Sequence, residues 1–312
     1  MRCTVPLLAS SLVIFGCTSD GSFEELGNES AGETGLDGDA GDGDGDAGDG
    51  DGDSGDGDGD SGDGEPGPLS TCGSGGATGQ WTRYDTELSW YEVLAPEQGD
   101  APLPLVIALH GDEGQPGAVQ WQWEELWMAE PSFIVATPQL HHQAGGPTSD
   151  NGWDNHPDDG VSLIMETLAD LELRYDIDIN RTYITGVSAG SWFLGQRGFA
   201  MQDVFAATQL SCGASPLAWG LYALPDEACK LPTRLETSAD DFLFSQAETL
   251  RDELLALGHE VEFSATDCSG HCCGGPYEYA DLAWQFFAKH ERCGGVFLGE
   301  PGGSCGSFGD LP

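Results

Sequence analysis

The stretch Arg181-Thr-Tyr-Ile-Thr-Gly-Val-Ser-Ala-Gly190 decides the fold of this chain, because a buried-strand pattern runs directly into Gly-x-Ser-x-Gly. Residues 191–200, which follow it, are compatible with a helix. A nucleophile elbow needs this order of strand, tight turn and helix: glycines remove side chains where the backbone is strained, and the helix N-terminus faces developing negative charge. The stretch therefore predicts Ser188 as a nucleophile. The alternative is a glycine-rich turn with an incidental serine.

Outward from this motif, short apolar runs alternate with amphipathic stretches. Such alternation within one domain is typical of an α/β class, a doubly wound and mostly parallel sheet with helices on both faces. Gly258 should end one of the helices, as glycine does at many helix C-termini. We expect strands at 90–94, 105–109, 133–137, 182–185, 206–211, 233–237 and 260–265, and helices at 160–175, 191–200, 246–257 and 278–290.

A serine becomes a good nucleophile only when a base takes its proton, and in this arrangement the chain order is Ser, then Asp or Glu, then His. Three histidines follow Ser188. We interpret His259 as a surface turn residue and His290 as a helix-end residue. His271 lies in a loop between the last predicted strand and the last predicted helix, at the sheet edge where loops carry sites, and is the candidate base.

The acid that orients the histidine should follow the preceding strand, and two adjacent carboxylates stand there. We take Asp240 as the acceptor of the Nδ1 hydrogen and Asp241 as its rival, which chemistry alone does not separate. The oxyanion needs backbone donors, for which the N–H groups of Ala189 and Asp112 are the candidates. His110, beside Asp112, reads as a structural loop residue because it precedes the nucleophile.

Six segments together resemble the polyhydroxybutyrate-depolymerase and feruloyl/acetylxylan esterase group of secreted α/β-hydrolases. The resemblance implies the α/β-hydrolase fold and a serine carboxylic ester hydrolase with Ser188, Asp240 and His271, working without cofactor or metal. Feruloyl or acetyl esters of polysaccharides, or short polyesters, are the implied substrates. The segments are Pro104-Leu-Val-Ile-Ala-Leu-His-Gly111, Asn151-Gly-Trp-Asp154, Asp159-Gly-Val-Ser-Leu-Ile164, Asp178-Ile-Asn-Arg-Thr-Tyr-Ile-Thr-Gly-Val-Ser-Ala-Gly190, Ser238-Ala-Asp-Asp241 and Gly258-His-Glu-Val261. Departures from the group are Asp112-Glu113 beside the oxyanion loop, Ser191, and Cys272-Cys273.

The first seventy residues differ from the rest. Residues 1–17 have the layout of a secretory signal, and Ile14-Phe-Gly-Cys17 resembles a lipobox, in which Cys17 is acylated. The alternative is an ordinary signal peptide with an incidental cysteine. Residues 18–70 are a Gly/Asp repeat with too little apolar surface to fold, and we expect a disordered linker; calcium binding by its Asp residues is an alternative. Residues 71–312 then form the catalytic domain.

The charge excludes one class of partner, and the cysteine usage fits export. With 36 acidic and 9 basic residues, residues 71–312 carry a net charge of −27, which excludes nucleic acid as a partner. Eight cysteines in this part predict up to four disulfides, with a zinc site around Cys268-Ser-Gly-His-Cys-Cys273 as the alternative. We expect an outer-membrane or cell-surface lipoprotein, or an extracellular protein.

The expected partners are an ester substrate, for which an insoluble polymer is one candidate, and the membrane, which the chain would contact through the lipid on Cys17. Two other functions fit the same scaffold. A non-catalytic surface-binding lipoprotein would explain the altered oxyanion loop, and a serine peptidase would use the same residues on amides.

Overall fold

The computed structural model describes residues 70–112, 114–140, 153, 157–220, 230–273, 276–293 and 305–308. The predicted signal segment, the lipidation residue Cys17 and the predicted linker up to residue 69 lie outside the described residues. So do Glu113 and the segment 154–156. No helix within the described ranges is long and apolar enough to cross a bilayer.

One mixed sheet organises the described part of the chain. Its eight strands follow the spatial order β1-β2-β4-β3-β5-β6-β7-β8. Strand β2 runs antiparallel to both of its neighbours, and the pairings from β4 across to β8 are parallel. The strands are β1 (Thr82–Asp85), β2 (Trp90–Leu94), β3 (Leu103–Leu109), β4 (Ile134–Gln139), β5 (Ile177–Val187), β6 (Ala207–Ser211), β7 (Thr233–Ser238) and β8 (Val261–Thr266).

Helices cover both faces of the sheet, as predicted for the α/β class. They are α1 (Gly117–Ala129), α2 (Pro157–Arg174), α3 (Ala189–Arg197), α4 (Phe244–Ala256) and α5 (Pro276–Phe287). Successive residues of a strand point to opposite faces, so Ile107 packs in the core below α2, α3 and α4. Its neighbour Val106 packs with α1 and α5 on the other face. The fold prediction is confirmed.

The seven predicted strands and four predicted helices are present, with ends shifted by a few residues. Gly258 ends α4 with a φ of 86°, and the His259 N–H reaches back to the Leu254 carbonyl at 3.0 Å, as a glycine-capped helix end requires. Strand β1 and helix α1 were not predicted. Strand β1 is a short edge strand, and α1 begins without a side-chain cap or an acidic first turn, so neither has a strong local signal.

The parallel strands β5 to β8 bring four loops to one edge of the sheet. Val187 pairs with Ser211, Ser211 pairs with Glu236, and Ser238 pairs with Thr266. The residues that follow these strands therefore lie side by side. This edge carries the candidate site.

Candidate active site

Ser188 is the turn between β5 and α3. Its backbone has φ 53° and ψ −112°, a conformation that L residues rarely adopt outside functional turns. Two hydrogen bonds hold it there: the Ser188 N–H donates to the Ser211 carbonyl at 3.0 Å, and the Ser188 carbonyl accepts from the Trp192 N–H at 2.8 Å. The strand–turn–helix predicted from the sequence is therefore present, and it presents the Ser188 side chain at the sheet edge.

The two glycines of the motif are required by close backbone contacts. A Cβ on Gly186 would lie 2.5 Å from the carbonyl carbon of Gly190. A Cβ on Gly190 would lie 2.8 Å from the His110 carbonyl oxygen. Real Cβ atoms do not approach backbone atoms so closely, so any side chain at either position would open the turn.

A chain of two hydrogen bonds runs from Ser188 through His271 to a buried carboxylate. His271 Nε2 lies 2.7 Å from Ser188 Oγ, and His271 Nδ1 lies 2.8 Å from Asp241 Oδ2. The Asp241 side chain has no exposed area, whereas that of His271 is 29% exposed. With the hydrogen on Nδ1, His271 donates to Asp241, and Nε2 is free to accept the hydrogen of the serine hydroxyl.

The expectation that Asp240 accepts the Nδ1 hydrogen is wrong. Asp240 turns toward the loop that carries His271 and accepts hydrogen bonds from the hydroxyls of Ser238 and Ser269, at 2.6 and 2.5 Å, and from the Gly270 N–H at 2.8 Å. These bonds, that from Ser238 first, lower the pKa of Asp240 to about 2. The Asp241 N–H donates to the Ser238 carbonyl at 3.1 Å in the turn that contains both acids, and the two adjacent carboxylates have different partners.

The segment expected to help form the oxyanion hole lies directly against Ser188. A Cβ on Gly111 would lie 3.4 Å from Ser188 Cβ and 3.9 Å from its Oγ. Asp112 follows Gly111 on this loop and is exposed. Ala189 is the first residue of α3, where backbone N–H groups have no partner within the helix. The structure thus brings both predicted donor segments to Ser188.

His110 lies directly before Gly111 and packs beneath the loop formed by Gly111 and Asp112. Its Nδ1 donates to the Gly111 carbonyl at 2.7 Å, and its ring is completely buried against Trp153, with 5.4 Å between the ring centres. Burial lowers the pKa of His110, so its neutral form is favoured. The interpretation of His110 as a structural loop residue agrees with this environment. Trp153 is itself fully buried and packs on Phe193 of α3, so it is unavailable to a substrate.

The two other histidines after Ser188 lie elsewhere. His259 is 4% exposed, and its Nδ1 donates to the Leu231 carbonyl at 3.0 Å. Our interpretation of His259 as a surface residue is therefore wrong, because its ring packs edge-on against Phe199 in the core. His290 follows α5, where its Nδ1 lies 2.9 Å from the Phe286 carbonyl, which agrees with a helix-end role.

Disulfides frame the His271 loop. Cys272, next to His271, is bonded to Cys212, and Cys273 is bonded to Cys268. Cys212 directly follows Ser211, whose carbonyl accepts the Ser188 N–H. The disulfides contradict the zinc alternative, because these thiols are used in S–S bonds. A further disulfide, Cys72–Cys305, joins the two ends of the described domain.

Three aromatic side chains lie near this edge and are accessible to solvent. Phe242 is 71% exposed and its ring centre lies 4.7 Å from that of His271. Trp192, in the first turn of α3, packs against Trp219, which is 53% exposed, with 5.4 Å between ring centres. Phe242 was not predicted as part of the site, although an aromatic residue directly after the two candidate acids is a signal visible in the sequence. Trp123 and Trp127 are buried on α1.

Comparison with known proteins supports the same group. No family model matches the chain. It is 32% identical over 135 residues to poly(3-hydroxyalkanoate) depolymerase C of Paucimonas lemoignei, covering 41% of this chain and 30% of the depolymerase. It is 29% identical over 103 residues to the bifunctional acetylxylan esterase/xylanase XynS20E of Neocallimastix patriciarum, covering 32% of this chain and 14% of that enzyme.

The chain thus spans less than a third of the length of either curated relative. Among solved structures, a ferulic acid esterase superposes with a TM-score of 0.51 at 18% identity, covering 67% of this chain and 96% of the other. At that identity the superposition establishes the fold alone. Together with the strand order, these similarities confirm that the chain has the α/β-hydrolase fold, and part of its sequence resembles a poly(3-hydroxyalkanoate) depolymerase and an acetylxylan esterase/xylanase.

Proposed function

We propose that this protein is a serine carboxylic ester hydrolase in which Ser188 is the nucleophile, His271 the base and Asp241 the orienting acid. The observation that carries the proposal is the hydrogen-bonded chain from Ser188 Oγ through both nitrogens of His271 to a buried carboxylate. This geometry is what proton removal from a serine hydroxyl requires. Similarity to a depolymerase and an acetylxylan esterase supports an ester as the substrate.

The reaction proceeds in two steps. Ser188 Oγ attacks the ester carbonyl carbon while His271 Nε2 takes the hydroxyl proton, and the resulting oxyanion is held by backbone N–H groups of Ala189 and Asp112. The C–O bond to the alcohol then breaks, and His271 returns the proton to the departing alcohol oxygen. In the second step, His271 activates a water molecule, which attacks the acyl-serine and releases the carboxylic acid and the free serine.

The proposed substrates are feruloyl or acetyl esters on polysaccharides, or short polyesters. Polysaccharides are long polymers, which suits an enzyme attached to the cell surface by the lipid proposed on Cys17 and by the acidic segment 18–70. A linker of the kind predicted from this Gly/Asp-rich composition would let the domain reach an insoluble polymer. Alkynyl fatty-acid labelling of the chain in bacterial cells tests the anchor: label on the wild type but not on Cys17→Ala is expected, and equal label contradicts it.

The activity is tested with p-nitrophenyl acetate, methyl ferulate and poly(3-hydroxybutyrate) oligomers, using the full chain and Ser188→Ala. Hydrolysis by the wild type and loss to background in the variant are expected. A fluorophosphonate probe should label the wild type at Ser188 only. A folded, oxidised wild type that neither turns over these esters nor reacts with the probe would contradict the proposal and favour a non-catalytic binding protein. Cleavage of amides but not esters would favour a peptidase.

A further inference from the structure

The exposure of Phe242 is not explained by packing in the core. It directly follows the buried acid Asp241, yet its ring is 71% exposed, and that ring lies 4.7 Å from the imidazole of His271. The next residue, Leu243, turns inward and lies against Gly213, so the loop has an inward-facing apolar side chain beside the outward-facing one. Exposed aromatic rings gain little for folding but offer a large apolar surface to a ligand.

The chemistry of the base determines which part of a substrate meets this ring. His271 Nε2 must hand its proton to the departing alcohol oxygen, so the alcohol lies at the histidine during the first step. A side chain that packs on the imidazole is therefore closer to the alcohol than to the acyl group. We propose that Phe242 forms the alcohol-side subsite, where its ring covers the C–H-bearing face of a neutral alcohol. This inference rests on the proposed ester hydrolysis.

The charge around the site disfavours an anionic alcohol. The carboxylate of Asp240 lies on the loop beside His271, Asp112 is exposed beyond Gly111, and residues 71–312 carry 36 acidic against 9 basic residues. An anionic alcohol would be repelled. A sugar ring and the next hydroxyacyl unit of a polyester share the required chemistry, since each is uncharged and has an apolar face.

The test compares esters of one acid with different alcohols, using the full-length wild type and Phe242→Ala. Methyl acetate, cyclohexyl acetate, an acetylated methyl xyloside and methyl 3-acetoxybutyrate vary the alcohol, and acetate release is measured for all four. For the three larger alcohols, kcat/KM should fall about three- to tenfold, the scale of one lost aromatic contact. For methyl acetate it should not change. A larger loss on the acetylated xyloside indicates a sugar as the preferred alcohol, and a larger loss on methyl 3-acetoxybutyrate indicates a hydroxyacyl unit.

The second step of the reaction, hydrolysis of the acyl-serine, distinguishes an alcohol-binding role of Phe242 from a structural one. The alcohol has already left at this step, so the loss of an alcohol subsite should not slow it. With p-nitrophenyl acetate, Phe242→Ala should slow the initial burst and leave the following steady phase unchanged, and Phe242→Trp should restore the burst. Leu173→Ala, which removes an apolar side chain 72% exposed on α2, is the matched control and should change neither phase.

Equal losses on methyl and cyclohexyl acetate, or a slower steady phase, would overturn the proposal, because Phe242 would then be holding His271. Unchanged kinetics on all four esters would overturn it as well. If Ser188→Ala abolishes hydrolysis but Phe242→Ala hydrolyses every ester as fast as the wild type, the subsite is refuted and the proposed function stands. A wild type without ester hydrolysis refutes both the subsite and the proposed function.

Discussion

Asp241 and His271 are joined by a hydrogen bond of 2.8 Å, and the carboxylate that makes it is completely buried. Its neighbour Asp240 makes no such contact, since its bonds go to Ser238, Ser269 and Gly270. The two adjacent acids therefore have separable roles. In the proposed mechanism Asp241 orients His271 itself, whereas Asp240 bonds to Ser269 and Gly270 of the loop that carries His271.

Asp241→Asn should abolish most of the activity without unfolding the protein. An amide at this position favours the wrong tautomer of His271 and cannot stabilise the imidazolium, so we expect kcat to fall by about 10⁴-fold. Asp240→Asn is the matched control, and should cost no more than about tenfold, the scale of one positioning hydrogen bond. Steady-state kinetics on p-nitrophenyl acetate, with circular dichroism spectra of both variants, measures this. A larger loss from Asp240→Asn than from Asp241→Asn would refute the assignment.

Asp240 should also contribute to stability in a pH-dependent way. Its folded-state pKa of about 2 lies below the ordinary value, so the carboxylate stabilises the fold above the ordinary aspartate pKa and loses this contribution as pH falls through about 2. The difference in melting temperature between wild type and Asp240→Asn should be constant from pH 7 to 5 and shrink steadily below about pH 4. Thermal melts across this range measure it. A difference that does not change down to pH 2 would mean that the hydrogen bonds of Asp240 do not depend on its charge.

Much of the site could be predicted from local patterns, because the segments that follow the parallel strands all lie at one edge of the sheet. The Gly-x-Ser-x-Gly turn and the loop after the last strand both lie at the carboxyl edge, so Ser188 and His271 meet. The choice between Asp240 and Asp241 depends on long-range contacts, since Asp240 bonds to Ser269 and Gly270 while Asp241 bonds to His271, and no local pattern indicates these partners. The burial of His259 likewise arises from its contact with Phe199, a residue sixty positions away in the chain.

Two of the described disulfides should have different roles: Cys212–Cys272 should support activity, and Cys72–Cys305 should support stability. Cys212→Ser with Cys272→Ser frees the residue next to His271, and a shift of about 1 Å in a catalytic group can cost about 100-fold in rate. Cys72→Ser with Cys305→Ser opens a bridge between residues 233 positions apart, for which a loss of about 2–5 kcal/mol in unfolding free energy is typical.

Both double variants are measured by urea unfolding and by kcat at a temperature where each is folded. The first should lose activity more than stability, and the second should lose stability and keep its kcat. Equal kcat values for the two would show that the Cys212–Cys272 bond does not position His271.

Two glycines at the nucleophile should respond to alanine in opposite ways. A Cβ on Gly190 would lie 2.8 Å from the His110 carbonyl oxygen, so Gly190→Ala must displace backbone and should destabilise the fold by about 1–3 kcal/mol. A Cβ on Gly111 would lie 3.4 Å from Ser188 Cβ and 3.9 Å from Oγ, distances of ordinary contact, so Gly111→Ala should fold with nearly unchanged stability.

The cost of Gly111→Ala should appear in catalysis, because the new methyl group occupies the space between the nucleophile and the loop that carries the Asp112 N–H. An ester carbonyl displaced by about 1 Å loses about 100-fold in rate, and kcat/KM should fall on that scale for every ester, whatever its alcohol. Melting temperatures and kcat/KM of the two variants measure the contrast. Full activity in Gly111→Ala would mean that the substrate carbonyl does not lie against this loop, and the second oxyanion donor would then have to come from another segment.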